Sequence, residues 1–227
     1  MANRRVLLSW SSGKDSAWCL YRLTQDPDVE VVGLLTTFNS AADRVAMHAV
    51  RRELVEAQAR SARLPLYPIE LPWPCPNEAY EKAMRESLDA LESRLSFDAV
   101  AFGDLFLEDI RAYRERRMAA WGVEPMFPLW QLDTRELART MIDSGVQAVL
   151  TCVDPAQCPA ELAGRFFDMS LLDALPDSVD PCGENGEFHT FVAGGPAFES
   201  PIDVTVGEIV ERDGFVFADV YMAENNS

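Results

Sequence analysis

The most informative stretch of this chain is Ser11-Ser12-Gly13-Lys14-Asp15-Ser16. It follows an apolar run at 6–8, which predicts a strand, and it precedes a helical pattern at 17–21. A helix N-terminus attracts anions because its first backbone N–H groups lack partners and the helix dipole is positive there. Gly13 lets a phosphate approach the backbone, and Lys14 adds a compact positive charge. The stretch therefore predicts a phosphate-binding loop between a strand and a helix.

The loop is not a Walker A motif, because Lys14 is followed by Asp15 and the residue five positions before Gly13 is Leu8. It resembles the S-G-G-K-D-S signature of the PP-loop ATP pyrophosphatases. Those enzymes hold the pyrophosphate of ATP while a nucleophile attacks the α-phosphorus. This chain has Ser12 in place of a glycine, so a left-handed backbone angle at that position would cost more. An ordinary strand-to-helix turn rich in small residues is the alternative.

Composition places limits on the class of protein. The chain has 227 residues, of which 48% are hydrophobic, enough for one large or two small domains. No run of 18 apolar residues occurs, and the first residues do not have the pattern of a signal peptide. Five cysteines without a Cys-x-x-Cys pair predict reduced thiols. We therefore expect a cytoplasmic protein that does not enter a membrane; an oligomer of identical chains is left open.

The net charge of −17 is unevenly distributed. Residues 1–125 carry 16 basic and 19 acidic side chains, whereas residues 126–227 carry 4 and 18. Such an acidic half disfavours a nucleic-acid substrate because it repels phosphate backbones. A solvated surface that aids solubility and an attraction for a cationic substrate or Mg²⁺ are both compatible with it. One of only two lysines, Lys14, falls in the predicted loop; the other is Lys82.

Strand-like and helix-like patterns alternate through the first two thirds. The patterns predict strands at 29–36, 97–102 and 147–153, a short or edge strand at 64–71, and helices at 48–63, 77–95, 110–121 and 134–144. Asn77 is the predicted cap of the second of these helices. The alternation predicts a parallel sheet with helices on its faces, and ligands bind such sheets at the carboxyl ends of the strands. Four polar clusters fall there: the 11–16 loop, Thr36-Thr37, Gly103-Asp104 and residues 151–154.

A second distinctive segment is Cys182-Gly183-Glu184-Asn185-Gly186-Glu187-Phe188-His189-Thr190-Phe191. Its glycines permit sharp bends, so that Glu184 and Glu187 could bind Mg²⁺ or an ammonium group, or act as a base. His189 could move protons near neutral pH. A tight surface turn with solvated glutamates and a structural histidine is the alternative. Residues 204–211 and 215–221 predict a hairpin around Asp213-Gly214.

Taken together, S-S-G-K-D-S near the start and G-E-N-G-E-F-H-T near the end resemble the diphthine–ammonia ligase family of PP-loop proteins. The resemblance spans essentially the whole chain, including Gly103-Asp104 with Glu108 and the stretch Phe127-Pro128-Leu129-Trp130. It implies an α/β fold, with a HUP-type nucleotide domain whose parallel sheet has helices on both faces, and a smaller C-terminal α/β domain. We expect the boundary between residues 1–125 and 126–227, where Pro125 and Pro128 bracket a plausible hinge.

The resemblance also implies an activity. Archaeal and eukaryotic members convert diphthine on elongation factor 2 to diphthamide, using ATP and ammonium. Those members tend to read G-E-G-G-E-[F/Y]-E-T, whereas this chain has Asn185 and His189 at the two differing positions. That form resembles a bacterial-type branch, and bacteria are not expected to carry diphthamide. The acceptor, a carboxylate on a small molecule or on a protein, therefore stays open, with free ammonium as the expected amine donor.

The roles implied by the resemblance fall into three groups. Ser11, Ser12, Gly13, Lys14 and Ser16 would hold the pyrophosphate of ATP, with Thr36 and Thr37 near the adenosine. Asp15 would orient the loop or Mg²⁺, and Gly103 and Asp104 would approach the α-phosphate or the metal. Glu184, Asn185, Gly186, Glu187 and His189 would form the acceptor site. The expected catalytic side chains are Lys14, Asp15, Asp104, Glu184, Glu187 and His189.

Two other functions are compatible with parts of this pattern. A tRNA-modifying PP-loop enzyme could use Cys152 and Cys158 for sulfur transfer, although the acidic half argues against a tRNA substrate. A nucleotide-binding sensor without turnover would need the loop but no glutamate-rich second motif. A glutaminase is not expected, because a nucleophilic cysteine would need His48 or His189 nearby.

Overall fold

The computed structural model describes residues 3–45 and 49–223. In chain order its elements are β1 (Arg4–Ser9), α1 (Lys14–Thr24), β2 (Val29–Asn39), β3 (Arg44–Val45), α2 (Arg52–Ser61), β4 (Leu66–Leu71), α3 (Asn77–Glu92), β5 (Ala99–Ala101), α4 (Glu108–Ala120), β6 (Glu124–Met126), α5 (Thr134–Asp143), β7 (Gln147–Val153), α6 (Met169–Ala174), β8 (Phe188–Gly194), β9 (Val204–Arg212) and β10 (Phe215–Met222). A short 3₁₀ helix, Ala160–Leu162, follows β7.

The first sheet is parallel around a central strand, β1. This strand pairs with β2 on one side and with β5 on the other, and β5 in turn pairs with β6. The strand β4 pairs in parallel with β2, while the short β3 runs antiparallel to the end of β2. The predicted parallel sheet is confirmed, and β4 has β2 as its one partner among the described strands, as expected for a proline-interrupted edge strand.

Helices cover both faces of this sheet. Alternate residues of a strand point to opposite faces, and β1 is apolar on both. Val6 and Leu8 join a core that includes Leu20 of α1 and Leu54 of α2. Leu7 joins a separate core with α3 and α4. This double burial confirms the α/β fold with helices on both faces.

The second sheet is antiparallel, in the order β8-β7-β10-β9. The prediction that residues 147–153 continue the parallel sheet is wrong, because β7 pairs antiparallel with β8 and β10. A short buried apolar run does not reveal the direction of its partners, which explains the error. The hairpin around Asp213-Gly214 is confirmed: both residues have positive φ, 54° and 84°, as a tight hairpin turn requires.

One large apolar core joins the two sheets. It extends from Val6 and Leu8 of β1 to Val149 of β7 and Phe191 of β8, all of them buried. The division into residues 1–125 and 126–227 stays a prediction. Pro125 lies inside β6, where it pairs with Val100, so the backbone at the expected hinge is part of the parallel sheet.

The helix starts differ from two predictions. The prediction that Asn77 caps α3 is wrong, because Asn77 is the first residue of the helix. The N-cap residue is Pro76, whose side chain makes no capping hydrogen bond. The predicted helix at 48–63 begins at Arg52, while His48 lies outside the described residues. None of the helices within the described ranges is both long and apolar enough to span a membrane.

Candidate active site

The loop between β1 and α1 contains a left-handed backbone angle at Ser12, a conformation that a side chain makes unfavourable. Ser12 adopts a left-handed φ of 71°, and Gly13 is the N-cap of α1. The Ser12 carbonyl accepts hydrogen bonds from the backbone N–H of Val192, at 2.9 Å, and from Nε2 of Gln58, at 3.0 Å. The hydroxyl of Ser12 is buried and has no hydrogen-bond partner within residues 3–45 and 49–223. The loop is therefore held from outside, by α2 and β8.

The remaining serines and Gly103 shape the start of α1. The Ser16 hydroxyl donates to the carbonyl of Gly13 at 2.9 Å, and Ser11 Oγ lies 3.3 Å from Ser16 Oγ. A Cβ atom at Gly103 would lie 3.1 Å from the backbone carbon of Asp15. That distance is tighter than most Cβ contacts, so a glycine at this position favours close packing of the loop after β5 against the first turn of α1.

Lys14 points its ammonium group inward and is 2% exposed. Its Nζ donates to the carboxylate of Asp15, at 2.9 and 3.1 Å, and to the carbonyl of Cys182. The ring centroids of Phe167 and Phe188 each lie 5.5 Å from Nζ, within the range of a cation–π interaction. Burial lowers the pKa of Lys14, but the charge and hydrogen bonds of Asp15, together with Cys182 and Asp180, outweigh that effect, so the pKa is raised and the ammonium group stays charged.

Asp104 follows β5 and forms an ion pair with Arg114 of α4. Its carboxylate oxygens lie 2.6 Å from Nε and 3.1 Å from a terminal nitrogen of the guanidinium group. The guanidinium carbon also lies 4.4 Å from the centre of the Phe102 ring, which fixes the arginine further. Asp104 therefore faces the site with part of its charge already compensated.

Glu184 ties the C-terminal motif to the parallel sheet. The turn before it needs Gly183, which has a φ of 71° and would place a Cβ atom 2.7 Å from the carbonyl oxygen of Phe188. Glu184 Oε1 accepts a hydrogen bond from the backbone N–H of Leu105 at 2.7 Å. Burial raises the pKa of Glu184 from its ordinary value of 4.5 to about 7, against the lowering effect of that bond.

Glu187 plays a different part in the same turn. It is 2% exposed, and its Oε1 accepts hydrogen bonds from the backbone N–H of Asp180 and from the side-chain amide of Asn185, both at 2.9 Å. These bonds fold the turn around the carboxylate. Glu187 therefore organises the motif from within.

His189 and Thr190 lie at the start of β8. Burial and then the charge of Lys14 lower the pKa of His189 to about 4, so the imidazole is neutral at physiological pH. Thr190 Oγ1 accepts a hydrogen bond from the backbone N–H of Lys14 at 3.1 Å. The second motif and the loop are thus joined at both the side chain and the backbone of Lys14.

These groups surround a cavity of about 240 Å³. The lining residues are Ser9, Ser11, Lys14, Asp15, Ser16, Phe102, Gly103, Asp104, Arg114, Cys182, Gly183, Glu184, Phe188, His189 and Thr190. A wider groove of about 620 Å³ along α1 and the end of β6 contains none of the predicted site residues. The smaller cavity is therefore the candidate active site.

The cavity contains eight of the predicted site residues, namely Ser11, Lys14, Asp15, Ser16, Gly103, Asp104, Glu184 and His189. The others lie outside its lining, namely Ser12, Gly13, Thr36, Thr37, Asn185, Gly186 and Glu187. The Thr36 hydroxyl is buried and donates to the carbonyl of Trp10 at 2.9 Å, and Thr37 pairs with Ile69 across β2 and β4. Residues 151–153 belong to β7 of the second sheet, and neither they nor Asp154 line the cavity.

Comparison with known proteins identifies the family of this chain. The family model of the diphthamide synthase N-terminal domain matches residues 4–125, and that of the diphthamide synthase C-terminal domain matches residues 133–222. The chain belongs to the diphthamide synthase family. This membership confirms the predicted family and the prediction of a ligase of that family, whereas the bacterial-type branch stays a prediction.

Curated relatives of this diphthamide synthase family member carry the name diphthine–ammonia ligase. The chain is 24% identical to the rat protein over 95% of its own length and 88% of the relative's. It is 26% identical to the zebrafish protein over 95% and 92%, respectively. The fission yeast protein is 27% identical over 92% of this chain, which spans only 37% of that longer relative.

The two cysteines of this family member that could serve sulfur transfer are poorly placed for it. Cys152 and Cys158 are both buried and lie outside the lining of the cavity. Burial raises the pKa of Cys152 to about 12 and that of Cys158 to about 11, so both remain thiols at neutral pH. The tRNA-modifying alternative therefore loses the pair of thiolates on which it depended.

Sequence reasoning missed four polar residues of the site. Ser9, Arg114 and Thr190 line the cavity, and Gln58 of α2 donates a hydrogen bond to the 11–16 loop. Gln58 had one usable signal: it lies four positions after Leu54, on the face of α2 that is otherwise apolar. Arg114 had none, because its role depends on contact with the loop after β5.

Proposed function

We propose that this chain is an ATP-dependent ligase that activates a carboxylate and converts it to an amide. A carboxylate oxygen attacks the α-phosphorus of ATP, which gives an acyl-adenylate and pyrophosphate. Ammonia then attacks the acyl carbon, which gives the amide and AMP and leaves one proton to be removed. One observation carries this proposal: the loop between β1 and α1 and the second motif, with Glu184 and His189, line the same cavity.

The loop and the start of α1 form the nucleotide end of the proposed site. Ser11 and Ser16 line the cavity beside the helix N-terminus, a favourable place for phosphate groups. Lys14 adds a positive charge behind them, while Ser12 and Gly13 shape the backbone. Thr36 and Thr37, at the end of β2, are proposed to lie on the adenosine side of the bound nucleotide.

Mg²⁺ is proposed to accompany the nucleotide, where it would neutralise phosphate charge. Asp15 and Asp104 are the cavity carboxylates available to it, although each is already paired with a basic side chain. Within the described parts of the chain no group of three or more His, Cys, Asp or Glu side chains is arranged for a metal. Phosphate oxygens and water would therefore supply most of the ligands, as is usual for this ion.

The second motif forms the amine and acceptor end. Ammonium is a cation, and Glu184 presents a carboxylate whose pKa of about 7 suits the uptake of a proton from the attacking amine. The neutral imidazole of His189 adds a hydrogen-bonding group that does not repel a cation. Asn185, Gly186 and Glu187 would act through the turn they form. The relatives' name makes diphthine the first acceptor to test, before other carboxylates.

The decisive test is pyrophosphate release from ATP in a screen of carboxylate acceptors with ammonium or with glutamine. We expect release that requires an acceptor and ammonium, with glutamine inert. Lys14→Met removes the charge yet keeps an apolar side chain between Phe167 and Phe188, and it should lower turnover by about a hundredfold or more. Lys82→Met is the matched control, because Lys82 is 74% exposed on α3, and it should keep wild-type turnover.

Three outcomes of that screen would contradict the proposal. Binding of ATP without release under any acceptor would favour a sensor. Turnover of Lys14→Met equal to that of Lys82→Met would remove Lys14 from the mechanism. Turnover that depends on tRNA and falls steeply with salt would favour a tRNA-modifying enzyme.

A further inference from the structure

Gln58 is a fully buried polar side chain in the middle of α2. Its exposed fraction is 0%, and its helix neighbours Leu54, Val55 and Ala59 belong to the apolar core. An amide in such surroundings is tolerated only when its hydrogen-bonding groups are satisfied. The bonds it makes therefore indicate what it is for.

The three side-chain hydrogen bonds that Gln58 makes within the described residues lead to the candidate active site or to its support. Its Oε1 accepts from Nε1 of Trp10 at 2.9 Å, and its Nε2 donates to the carbonyls of Ser12, at 3.0 Å, and Val192, at 2.6 Å. An indole N–H can only donate, and a carbonyl can only accept, so the orientation of the amide follows from its partners. One side chain thus joins the end of β1, the nucleotide loop and β8.

The Ser12 carbonyl is the critical partner. Ser12 has a left-handed φ of 71°, which a residue with a side chain adopts at a cost in free energy. Its hydroxyl makes no compensating bond to any residue that the structure describes. The two hydrogen bonds to its carbonyl, from Gln58 and from the Val192 N–H, hold this conformation. Without the first, the loop has one restraint fewer against relaxing to a negative φ.

We propose that Gln58 is a positioning residue that keeps Ser12 left-handed and so presents the start of α1 to the nucleotide. Through Val192 it also fixes the loop relative to β8, the strand that carries His189 and Thr190. The inference rests on the proposed function only in taking ATP as the ligand of this loop.

A double-mutant cycle tests the inference on the full-length chain. Gln58→Met removes the hydrogen bonds but keeps a side chain of similar length, and it should raise the KM for ATP by about tenfold or more. Ser12→Gly removes the need for the hydrogen bond from Gln58, because glycine adopts a positive φ freely. In the double variant the KM for ATP should return to within about threefold of Ser12→Gly alone, even though the melting temperature stays lowered.

Val55→Ala is the matched control, because Val55 is buried in the same helix. Truncation of this side chain lowers the stability of the protein but removes no hydrogen bond to the loop. It should lower the melting temperature while leaving the KM for ATP unchanged, with or without Ser12→Gly. A merely structural role for Gln58 predicts that Gln58→Met behaves like Val55→Ala. That result, or a double variant whose KM stays raised, would overturn the inference.

Amide hydrogen exchange separates failure of this inference from failure of the proposed function. Exchange in residues 10–17 and 188–194 needs no turnover and should rise in Gln58→Met but not in Val55→Ala. If wild-type protein releases no pyrophosphate, the proposed function fails, while this exchange pattern still supports the positioning role. Unchanged exchange in Gln58→Met contradicts the positioning role even in an active enzyme.

Discussion

At the scale of single residues, Glu184 is a cavity group whose charge changes near neutral pH. Its carboxylate is half-buried beside Asp15 and Asp104 and has a pKa of about 7. The neighbouring imidazole of His189 is neutral above its lowered pKa of about 4. Between pH 5 and 8, therefore, Glu184 rather than His189 changes the charge of this cavity.

We predict that Glu184 makes stability fall as pH rises. Its pKa is higher in the folded chain than its ordinary value of 4.5, so the folded state binds more protons between pH 4.5 and about 7. Glu184→Gln keeps an oxygen acceptor for the Leu105 N–H and removes the charge. The variant should melt at a higher temperature than wild type near pH 8, and the two should melt alike below about pH 4.5.

Differential scanning calorimetry across this pH range checks the prediction. Glu56→Gln, the same substitution at an exposed position of α2, is a suitable control because it removes one charge far from the motif in sequence. A melting difference between wild type and Glu184→Gln that does not vary with pH would contradict the raised pKa. If Glu184 is also the proton acceptor, the variant should lose the limb of the activity profile near pH 7.

The same residues show how far sequence reasoning reaches. The 11–16 loop and the 182–191 motif were predicted from their local composition, and Lys14, Asp15, Glu184 and His189 do meet in one cavity. Gln58 and Val192, by contrast, are 134 positions apart, and Asp104 meets Arg114 only because α4 folds back over β5. Local patterns reveal reactive groups, whereas the residues that hold them depend on tertiary contacts.

At the scale of elements, the helices show which local rules hold. Asp133 caps α5, and its Oδ1 accepts a hydrogen bond from the N–H of Glu136 at 2.8 Å. Asn77, the predicted cap of α3, lies one position inside that helix, after Pro76. Strand patterns were reliable for β1, β2 and β5, but the apolar run of β7 could not reveal that its partners are antiparallel.

The two caps give a matched prediction. Asp133→Ala should lower the free energy of unfolding by about 1 kcal/mol, because it leaves an N–H at the start of α5 without its partner. Asn77→Ala should change that free energy by less than about 0.5 kcal/mol, since its side chain makes no cap bond. Urea denaturation of both variants measures the difference. Equal losses in the two would contradict the observed cap positions.

At the scale of the whole molecule, ion pairs of Asp219 join the two sheets in addition to a shared apolar core. Asp219 of β10 accepts from Arg44 at 2.9 Å and from Arg51 at 2.5 and 3.1 Å, linking the second sheet to the segments around α2. The bonds from Arg51, with those from Arg44, hold the pKa of Asp219 below its usual value. We therefore expect the two sheets to unfold in one transition.

Asp219→Asn tests the contribution of these ion pairs to stability. The loss should be about 1 kcal/mol of unfolding free energy at neutral pH, a modest figure because both partners are partly exposed. Since the pKa is lowered in the folded state, this stabilisation is present above the ordinary value of 3.8 and disappears as pH falls below it. Asp213→Asn, in the exposed hairpin turn, is the control and should be nearly neutral. A loss that persists at low pH would contradict an ionic origin.

In the proposed reaction a carboxylate oxygen attacks the α-phosphorus of ATP in this cavity. An acceptor from the screen whose carboxylate carries ¹⁸O on both oxygens tests this step, with mass spectrometry of the nucleotide formed in the presence of ammonium. We expect AMP with one ¹⁸O atom and an amide that retains the other. Formation of ADP and phosphate, or of AMP without ¹⁸O, would contradict it.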